Sequence, residues 1–575
     1  MPDSLMAEQM WSRNERLRAA LELERISFLS HWRELSDFLL PRRSRFTITD
    51  TNRGERRNQK IIDSTATLAL RTLRSGMMAG VTSPSRPWFR LTTPDPSMAE
   101  FMPVKVWLQH VTARMEDVFR QSNLYNSLPI LYGDLAAFAT AAMYIEEDFT
   151  GDVIRTMTLP IGSYSIATNE RHAVAIMVRE FQMTVRQIVA KFGAQGRDWS
   201  NISGYIKDLW DRGQREAWIQ VVHILQPNDD YDADKLGGKS KRYLSTYYER
   251  GISSQNQASY LVDTMKDKAL LEEGYEEFPM LVPRWETTGE DAYGTSCPGM
   301  EMLGDVKQLQ LGEKRIMQAI EKSINPPTTG PSALKSTKAS ILPGDVTYLD
   351  VREGQQGFRP VYQIDPRINE LEAKQEQVRQ RIRRAAFEDL FLMLAASDRR
   401  EITAREVEER HEEKLLALGP VMEQLNQDLF DPLIDVTFSI MVKQGLVPPP
   451  PPEMEGMKLK VEYVSVMAQA QKLVGLAGIE RLVGFVGEVG KVIPDALDNL
   501  DMDKIIHSYA ERNAVDPTLL RSEEAVGEIR EGRAKAQQAA AMLQTIEQGA
   551  GAARDLAGAD MEKDSVLKRL MGAEA

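Results

Sequence analysis

Residues 401–445 read EITAREVEERHEEKLLALGPVMEQLNQDLFDPLIDVTFSIMVKQG, and this stretch decides the architecture. Thr403 followed by Glu406 has the spacing of a capping box, in which hydroxyl and carboxylate each satisfy a free N–H of a helix start. Behind it runs an apolar stripe of Val407, Leu415, Leu418, Met422, Leu425, Leu429, Leu433, Val436 and Ile440, in steps of three and four after one gap where His411 falls. Gly445 and the prolines of 448–452 close it. An unbroken helix over 403–443 would be about 60 Å long, with kinks predicted at Gly419-Pro420 and Pro432. Such a helix crosses a domain or serves a large assembly, and its stripe reads as a packing face.

Working back from Thr403, residues 396–401 form a short polar break containing Asp398, Arg399 and Arg400. Before it, Asp365-Pro366 is a good helix start, with the carboxylate as cap and the proline in the first turn. Ile368, Leu371, Val378 and Ile382 carry that helix toward Leu390. Residues 328–364 are rich in Gly and Pro and hold two strand-like pieces, 346–351 and 359–364. Between Pro298-Gly299 and Pro326-Pro327 lies another helix through Met302, Val306, Leu309, Ile316, Ile320 and Ile324. We expect it to be free-standing and about seven turns long.

The N-terminal half is of mixed texture. One amphipathic helix is expected over 14–40, stopped by Pro41, and a second from Ile61 through Leu73 to Gly80. A Pro-punctuated segment with Trp88 and Phe89 follows, then two helices leading to Tyr144. Strand-type runs occupy 153–159, 173–181, 218–225, 243–249 and 280–285. Beyond 453 the chain is helical again, with breaks at Pro494 and Asp516-Pro517 and an Ala, Gln, Glu and Gly-rich tail from Gln537. The fold class expected is α+β, predominantly α-helical.

Composition bounds the function. With 575 residues and 42% hydrophobic content, the chain can bury several packed layers. The net charge of −13 is the opposite of what a tight, sequence-independent DNA clamp carries. Cys297 is the single cysteine, which forbids an intrachain disulfide and a thiolate metal cluster and reads as an inert small side chain. Residues 1–25 lack the apolar core of a signal peptide. The longest apolar run, 135–145, is far short of the roughly 20 residues that span a bilayer.

Four features of the sequence bear on catalytic chemistry. Gly238-Lys239-Ser240 resembles the end of a phosphate-binding loop, but Ala233 stands where that motif needs its first glycine. Glu146, Glu147 and Asp148 could hold magnesium, yet they precede Gly151-Asp152 and read as a solvated turn. The six histidines, at 31, 110, 172, 223, 411 and 507, are scattered, and His411-Glu412-Glu413 lacks a second histidine. No Gly-x-Ser-x-Gly elbow occurs. The expectation is therefore no catalytic residue, no cofactor, no metal site and no enzyme activity.

The order of elements, an α+β region, a helix, a small β excursion, a returning helix, a short polar loop, a long kinked helix and a helical end, resembles the podovirus-type bacteriophage head-to-tail connector (portal) family over most of the chain. Its most specific match is 403–410 running on through 418–426 to Pro432-Leu433-Ile434. Supporting matches are Ile61-Ile62-Asp63-Ser64-Thr65-Ala66, the run 76–84 with Arg86-Pro87-Trp88-Phe89, and Val515-Asp516-Pro517 with Arg521-Ser522. One departure is Tyr463-Val464-Ser465-Val466-Met467-Ala468, where the family tends to place a proline after the serine.

The resemblance implies a wing over 1–298, a first stem helix over 299–325, a clip over 326–365, a second stem helix over 366–391, a tunnel loop over 392–402, a long kinked wing helix over 403–446, crown helices over 453–548 and a flexible tail over 549–575. It also implies a dodecameric ring at one capsid vertex through which double-stranded DNA is packaged and ejected. The implied partners are the large terminase, tail adaptor or nozzle proteins, and the major capsid and scaffolding proteins, in a virion assembled in the host cytoplasm with no membrane. By the same resemblance Asp398, Arg399 and Arg400 would face DNA at the narrowest part of the channel; the residues alone allow solvated loop charges, or pairs with Glu401 and Glu406. Lys307, Lys314, Arg315 and Lys322 on the first stem helix, and Lys374, Arg379, Arg381, Arg383 and Arg384 on the second, suit either the lumen or salt bridges between subunits. The rival readings are another virion adaptor protein, disfavoured by the stem, clip and loop order, and a virion-associated packaging enzyme, disfavoured by the missing phosphate loop.

Overall fold

The computed structural model describes residues 2–43, 45–46, 54, 57–95, 98, 101–149, 151–235, 237–250, 268–326, 328–329, 359–360, 368–396, 418–454, 459–464, 476–490, 500–506 and 526–539. Two compact units divide the chain, Met1–Gln471 and Lys472–Ala575.

The first unit opens with helix α1 (Pro2–Phe38), whose Trp32, Leu35 and the following Leu39 are buried in the main core. Leu21, about three turns earlier than this group, sits instead among Val178, Val222, Ile224 and Tyr248 of a sheet. Helix α2 (Thr65–Gly80) begins four residues later than the apolar run at Ile61 suggests. Asp63 explains the start, because its carboxylate accepts the Thr65 N–H at 2.7 Å. Strand β1 (Phe89–Thr92) and helices α3 (Met102–Gln121) and α4 (Leu124–Phe138) follow. Helix α4 is the centre of the core, with eleven of its residues buried.

A hairpin of β2 (Ala142–Asp148) and β3 (Val153–Leu159) comes next, paired in full from Ala142 opposite Leu159 to Asp148 opposite Val153. Glu146, Glu147 and Asp148 are therefore the end of a strand, not a turn; the reversal itself is confined to the residues around Gly151. Strands β4 (Tyr164–Thr168), β5 (Val174–Thr184), β6 (Trp218–Pro227), β7 (Tyr243–Glu249) and β8 (Leu271–Tyr275) form an antiparallel sheet in sequence order. Two short helices, α5 (Val185–Phe192) and α6 (Gly204–Asp211), interrupt it between β5 and β6 and bury Val185, Ile188, Ile206 and Leu209 against its face. Of the expected strand over 280–285 only β9 (Met280–Leu281) is regular, and it adds a third strand beside β2.

Helix α7 (Pro298–Ile324) carries Pro298 in its first turn, as the sequence predicts. It is not free-standing, since Met302, Leu303, Val306 and Leu309 belong to the main core. Short strands β10 (Thr328–Thr329) and β11 (Arg359–Pro360) pair antiparallel beyond it; the strand expected over 346–351 lies outside the described residues. Helix α8 (Ile368–Ala385) returns, but it does not continue to Leu390. Phe387 adopts a left-handed φ of 52°, and a separate helix α9 (Glu388–Ala396) starts after it. The break re-aims Phe391 onto α2, where a Cβ on Gly76 would lie only 2.3 Å from the Phe391 ring.

The described part of the long helix is α10 (Gly419–Leu425), a π turn over Asn426–Phe430, and α11 (Asp431–Lys443). Leu418, Met422, Leu425, Leu429, Leu433 and Val436 are buried as their spacing requires. Pro432 sits in the first turn of α11, so the expected kink is realised as the wide π turn just before it. Gly445 ends the helix at φ 69°. Strand β12 (Lys460–Tyr463) then pairs with β1, placing Phe89 opposite Tyr463. The second unit contains helix α12 (Leu476–Gly490) and a helix over 526–539, whose Arg530 bonds Asp503 at 2.6 Å.

The molecule is thus α+β, with helix outweighing strand among the described residues. No helix in the described residues is long and apolar enough to cross a membrane.

Candidate functional site

Helices α7 and α8 lie antiparallel, and three contacts set their register. Arg381 forms a forked pair with Asp305, the shortest N···O distance being 2.7 Å. One to two turns along, Gly312 lets Gln375 lie directly against the α7 backbone; a Cβ there would meet the Gln375 amide at 1.9 Å. Arg379 bonds Glu313 at 2.5 Å.

The base of this hairpin is fastened to the turn before α2. The Gln310 side-chain oxygen accepts the N–H groups of Ile62 and Asp63 at 2.6 and 2.8 Å, and its amide donates to the Asp63 carbonyl at 2.8 Å. Arg379 reaches the Asp63 carboxylate at 3.0 Å while holding Glu313. Burial pushes the Asp63 carboxyl upward, but hydrogen bonds from Thr65 and the Arg379 guanidinium outweigh it and hold the group below its ordinary range. One guanidinium thus ties three elements together, a role that arginine's fixed fork suits and a lysine could not fill.

Past this collar the hairpin is solvent-facing. Lys314, Arg315 and Lys322 on α7 and Lys374 on α8 are exposed there, Arg384 is exposed on the body side of the collar, and none of the five has an ion-pair partner among the described residues. Lys307 is exposed too, but pairs with Glu34 of α1 at 2.5 Å. Arg383 stands between Glu376 and Glu388, at 3.4 and 3.6 Å. Of the nine stem cations, Arg379, Arg381, Arg383 and Lys307 are therefore engaged within their own chain, a use that neither sequence reading included. Asp398, Arg399 and Arg400 lie outside the described residues, as do Thr403 and Glu406.

Exposed apolar side chains accompany the free cations: Leu311, Met317, Ile324 and Leu371 all face solvent. A single chain leaves them uncovered.

Two further buried ion clusters hold the frame that carries the hairpin. Arg284 bonds Asp428 of the π turn twice, at 3.0 and 3.1 Å, and donates to the His172 carbonyl at 2.8 Å. On the sheet, Arg18 of α1 meets Glu15, Glu22 and Glu180 at 3.0, 2.7 and 2.9 Å, with Arg250 on the other oxygen of Glu180. Sequence reasoning named none of the charged residues of these two clusters, and it quoted Asp63 of the collar only as part of a matching run.

Two of the positions weighed for chemistry are placed by the fold. Lys239 pairs with Glu272 in a 3₁₀ turn rather than cradling a phosphate. Cys297 is buried, and burial pushes its thiol up to about 12. No group of three or more potential metal ligands is assembled among the described residues.

Comparison with known proteins bears on this architecture directly. The family model described as bacteriophage head to tail connecting protein matches residues 12–520. The chain is 48% identical over 548 residues to the portal protein of Salmonella phage epsilon15, covering 95% of both chains. It is 42% identical over 547 residues to the probable portal protein of Bordetella phage BPP-1, again with 95% of each covered.

Proposed function

From the premise that this chain belongs to the bacteriophage head-to-tail connecting protein family and is a portal protein of the short-tailed phage type, a virion component of the head–tail junction, we propose that it assembles as a closed ring of about a dozen copies. The ring would sit at one capsid vertex and form the channel for genome packaging and ejection. In this reading the first unit supplies the wing (1–298 and 403–446), α7 and α8 the stem, 326–365 the clip and 392–402 the tunnel loop. The helices beyond 453 supply the crown.

The observation that carries the ring is the α7–α8 hairpin. It is fastened rigidly at its base by Gln310 and Arg379, yet it exposes Leu311, Met317, Ile324 and Leu371 together with free cations along its length. Apolar groups left in water on a stiff projection favour burial against a neighbour, and identical neighbours satisfy every copy when the contacts close on themselves.

A net charge of −13 suits a conduit, because each phosphate neutralised by a cation adds salt-dependent affinity that resists sliding. DNA contact is assigned to Asp398, Arg399 and Arg400 of the tunnel loop. The clip would receive the large terminase during packaging and tail adaptor proteins afterwards, and the wing would meet capsid and scaffolding proteins. The protein's work is mechanical and structural, not catalytic.

Electron microscopy of the purified full chain, with mass photometry of the same sample, tests this. The expected result is a ring of about a dozen subunits with a central channel. A compact monomer at every salt and protein concentration would overturn it.

A further inference from the structure

The five-stranded sheet carries opposite charge at its two ends. One end is marked by the start of β5 at Val174 and by Pro227, Tyr243 and Tyr275, which pair side by side. At the other, Thr184 lies opposite Trp218 and Val221 opposite Glu249. The eleven residues of β5 hold these ends roughly 30 Å apart.

A groove of about 200 Å³ opens at the first end, between the sheet and α11. Phe278, Val282, Pro432 and Val436 give it an apolar lining, and the exposed Glu277 and Asp435 stand in its wall. Asp431, which accepts the Tyr463 hydroxyl, lies beside them. None of these three carboxylates has an ion-pair partner among the described residues. The nearby Arg242 is turned to the Tyr231 hydroxyl at 3.5 Å. The groove is smaller than a typical small-molecule site. An aliphatic stem ending in a cation suits both its lining and its charge.

The excursion between β5 and β6 builds the second end. Trp199 and Trp210 meet edge to face at 6.3 Å, and both pack over Gly196. Lys207 lies 5.9 Å above Trp199, and Arg215 stacks on Trp210 at 4.3 Å. Stacking covers the face of the Arg215 guanidinium and leaves the N–H donors in its plane free. Lys268, which donates to the Ser200 carbonyl at 3.0 Å, adds a third cation. None of the three has an ion-pair partner among the described residues. The acids close by are Asp208 and Glu216, engaged by Arg212 and Arg186, and the exposed Asp198 and Asp211.

Copies in a closed ring meet head to tail, which takes two different surfaces on one chain. Opposite charges at opposite ends of a rigid sheet supply such a pair, and stacked Trp and Arg side chains are the residues that most often anchor an interface. Resting on the ring reading, we propose that the Trp210–Arg215 corner of one copy docks at the Glu277–Asp435 groove of the next. Arg215 then meets the two carboxylates while Trp210 covers the apolar mouth. The occupant is a second copy of this chain.

Cys297 is the chain's single cysteine and is buried, so an introduced surface pair can be crosslinked selectively with a short bismaleimide. Full-length R215C/E277C, assembled and treated, should run on a denaturing gel as a ladder of two, three and more chains. R215C mixed with E277C should stop at two, and either alone should stay at one. In parallel, K207E/R215E is expected to lose about tenfold in ring fraction by mass photometry, with thermal melting as the check that it is folded. Absence of rings from the wild-type chain sinks the ring reading itself. Wild-type rings together with R215C/E277C rings that give no ladder, with a ladder from either single variant, or with unimpaired K207E/R215E rings overturn this contact alone. A folded R215C/E277C chain that loses its rings while wild type keeps them counts for the contact.

Discussion

Arg284 and Asp428 form a doubly hydrogen-bonded ion pair that is almost wholly buried, at 3% and 9% side-chain exposure, joining the segment after β9 to the π turn of the long helix. The π turn leaves one backbone step out of register with the α-helical ladder. Asp428 compensates by anchoring that step to Arg284 and to Gln424 at 2.8 Å.

Asp428→Ala should strip a buried guanidinium of its counter-charge and cost about 3–5 kcal/mol, the range for breaking one side of a buried pair. Differential scanning calorimetry of the full chain reads it as a lower first transition. The double variant Arg284→Met with Asp428→Leu should recover much of the loss, because it leaves no unpaired charge. Equal damage from single and double variants would show that the pair does not act as a unit.

Asp435 gives a pH dependence of definite sign. Burial, then the neighbouring Glu277 and Asp431, push its carboxyl up to about 6. The unfolded chain releases that proton near pH 4, so between these values the folded state holds more protons and stability falls as pH rises. Asp435→Asn should raise the melting temperature at pH 7 and flatten its decline between about pH 4 and 6. An unchanged pH profile in the variant would refute the assignment.

Gly76→Ala places a methyl group where the Phe391 ring already lies, 2.3 Å away. Overpacking of this kind costs about 1–3 kcal/mol. Adding Phe391→Ala should relieve the clash while opening a cavity, so the two changes together should cost less than their sum. A double-mutant cycle by chemical denaturation measures the coupling; strict additivity would mean that α9 does not rest on α2 at this point.

Arg379→Met should unfasten the stem at its base while leaving the apolar contacts of Val378 and Ile382. Amide hydrogen exchange is expected to accelerate in the last three turns of α7 and the first turns of α8, with the sheet unaffected. The Asp63 carboxyl, held below its ordinary range, contributes stability that is complete above about pH 4 and is lost as pH falls through its folded value. In the Arg379→Met variant that acid sensitivity should shrink.

Much of this was legible in the chain itself. Pro298 and Pro326-Pro327 bracket α7, and strands 153–159 and 243–249 fall where the strand-type runs place them. Thr184 and Gln187 form a capping box that starts α5, a signal present in the sequence but masked by the stronger strand run before it. The turn at Phe387 was not legible. Its surroundings, Arg384-Ala385-Ala386-Phe387-Glu388, are good helix formers, and only the fit of Phe391 on Gly76 makes breaking the helix worthwhile. Glu146 to Asp148 misled because acidic residues next to a Gly-Asp pair imitate a turn, whereas their pairing with β3 decides otherwise.

For the stem charges, the pairings could not be read from the sequence. Arg379 and Asp63 are 316 positions apart, and Lys307 and Glu34 are 273 apart, so no local rule connects them. Basic stem residues look alike in sequence; the fold separates those engaged within the chain from those left exposed.

The pairing of β1 with β12 sets a clock on biosynthesis. Arg90 bonds Glu462 across 372 positions at 2.6 Å, so the strand made early has no partner until four-fifths of the chain exists. At roughly 5–20 residues per second, a ribosome takes on the order of 20–75 seconds to deliver it. Throughout that interval Phe89–Thr92 is an open edge in a crowded cytosol, and a prematurely terminated chain keeps it open for good. The seam therefore separates chains that stop short of β12 from those that pass it, since only the latter can close it.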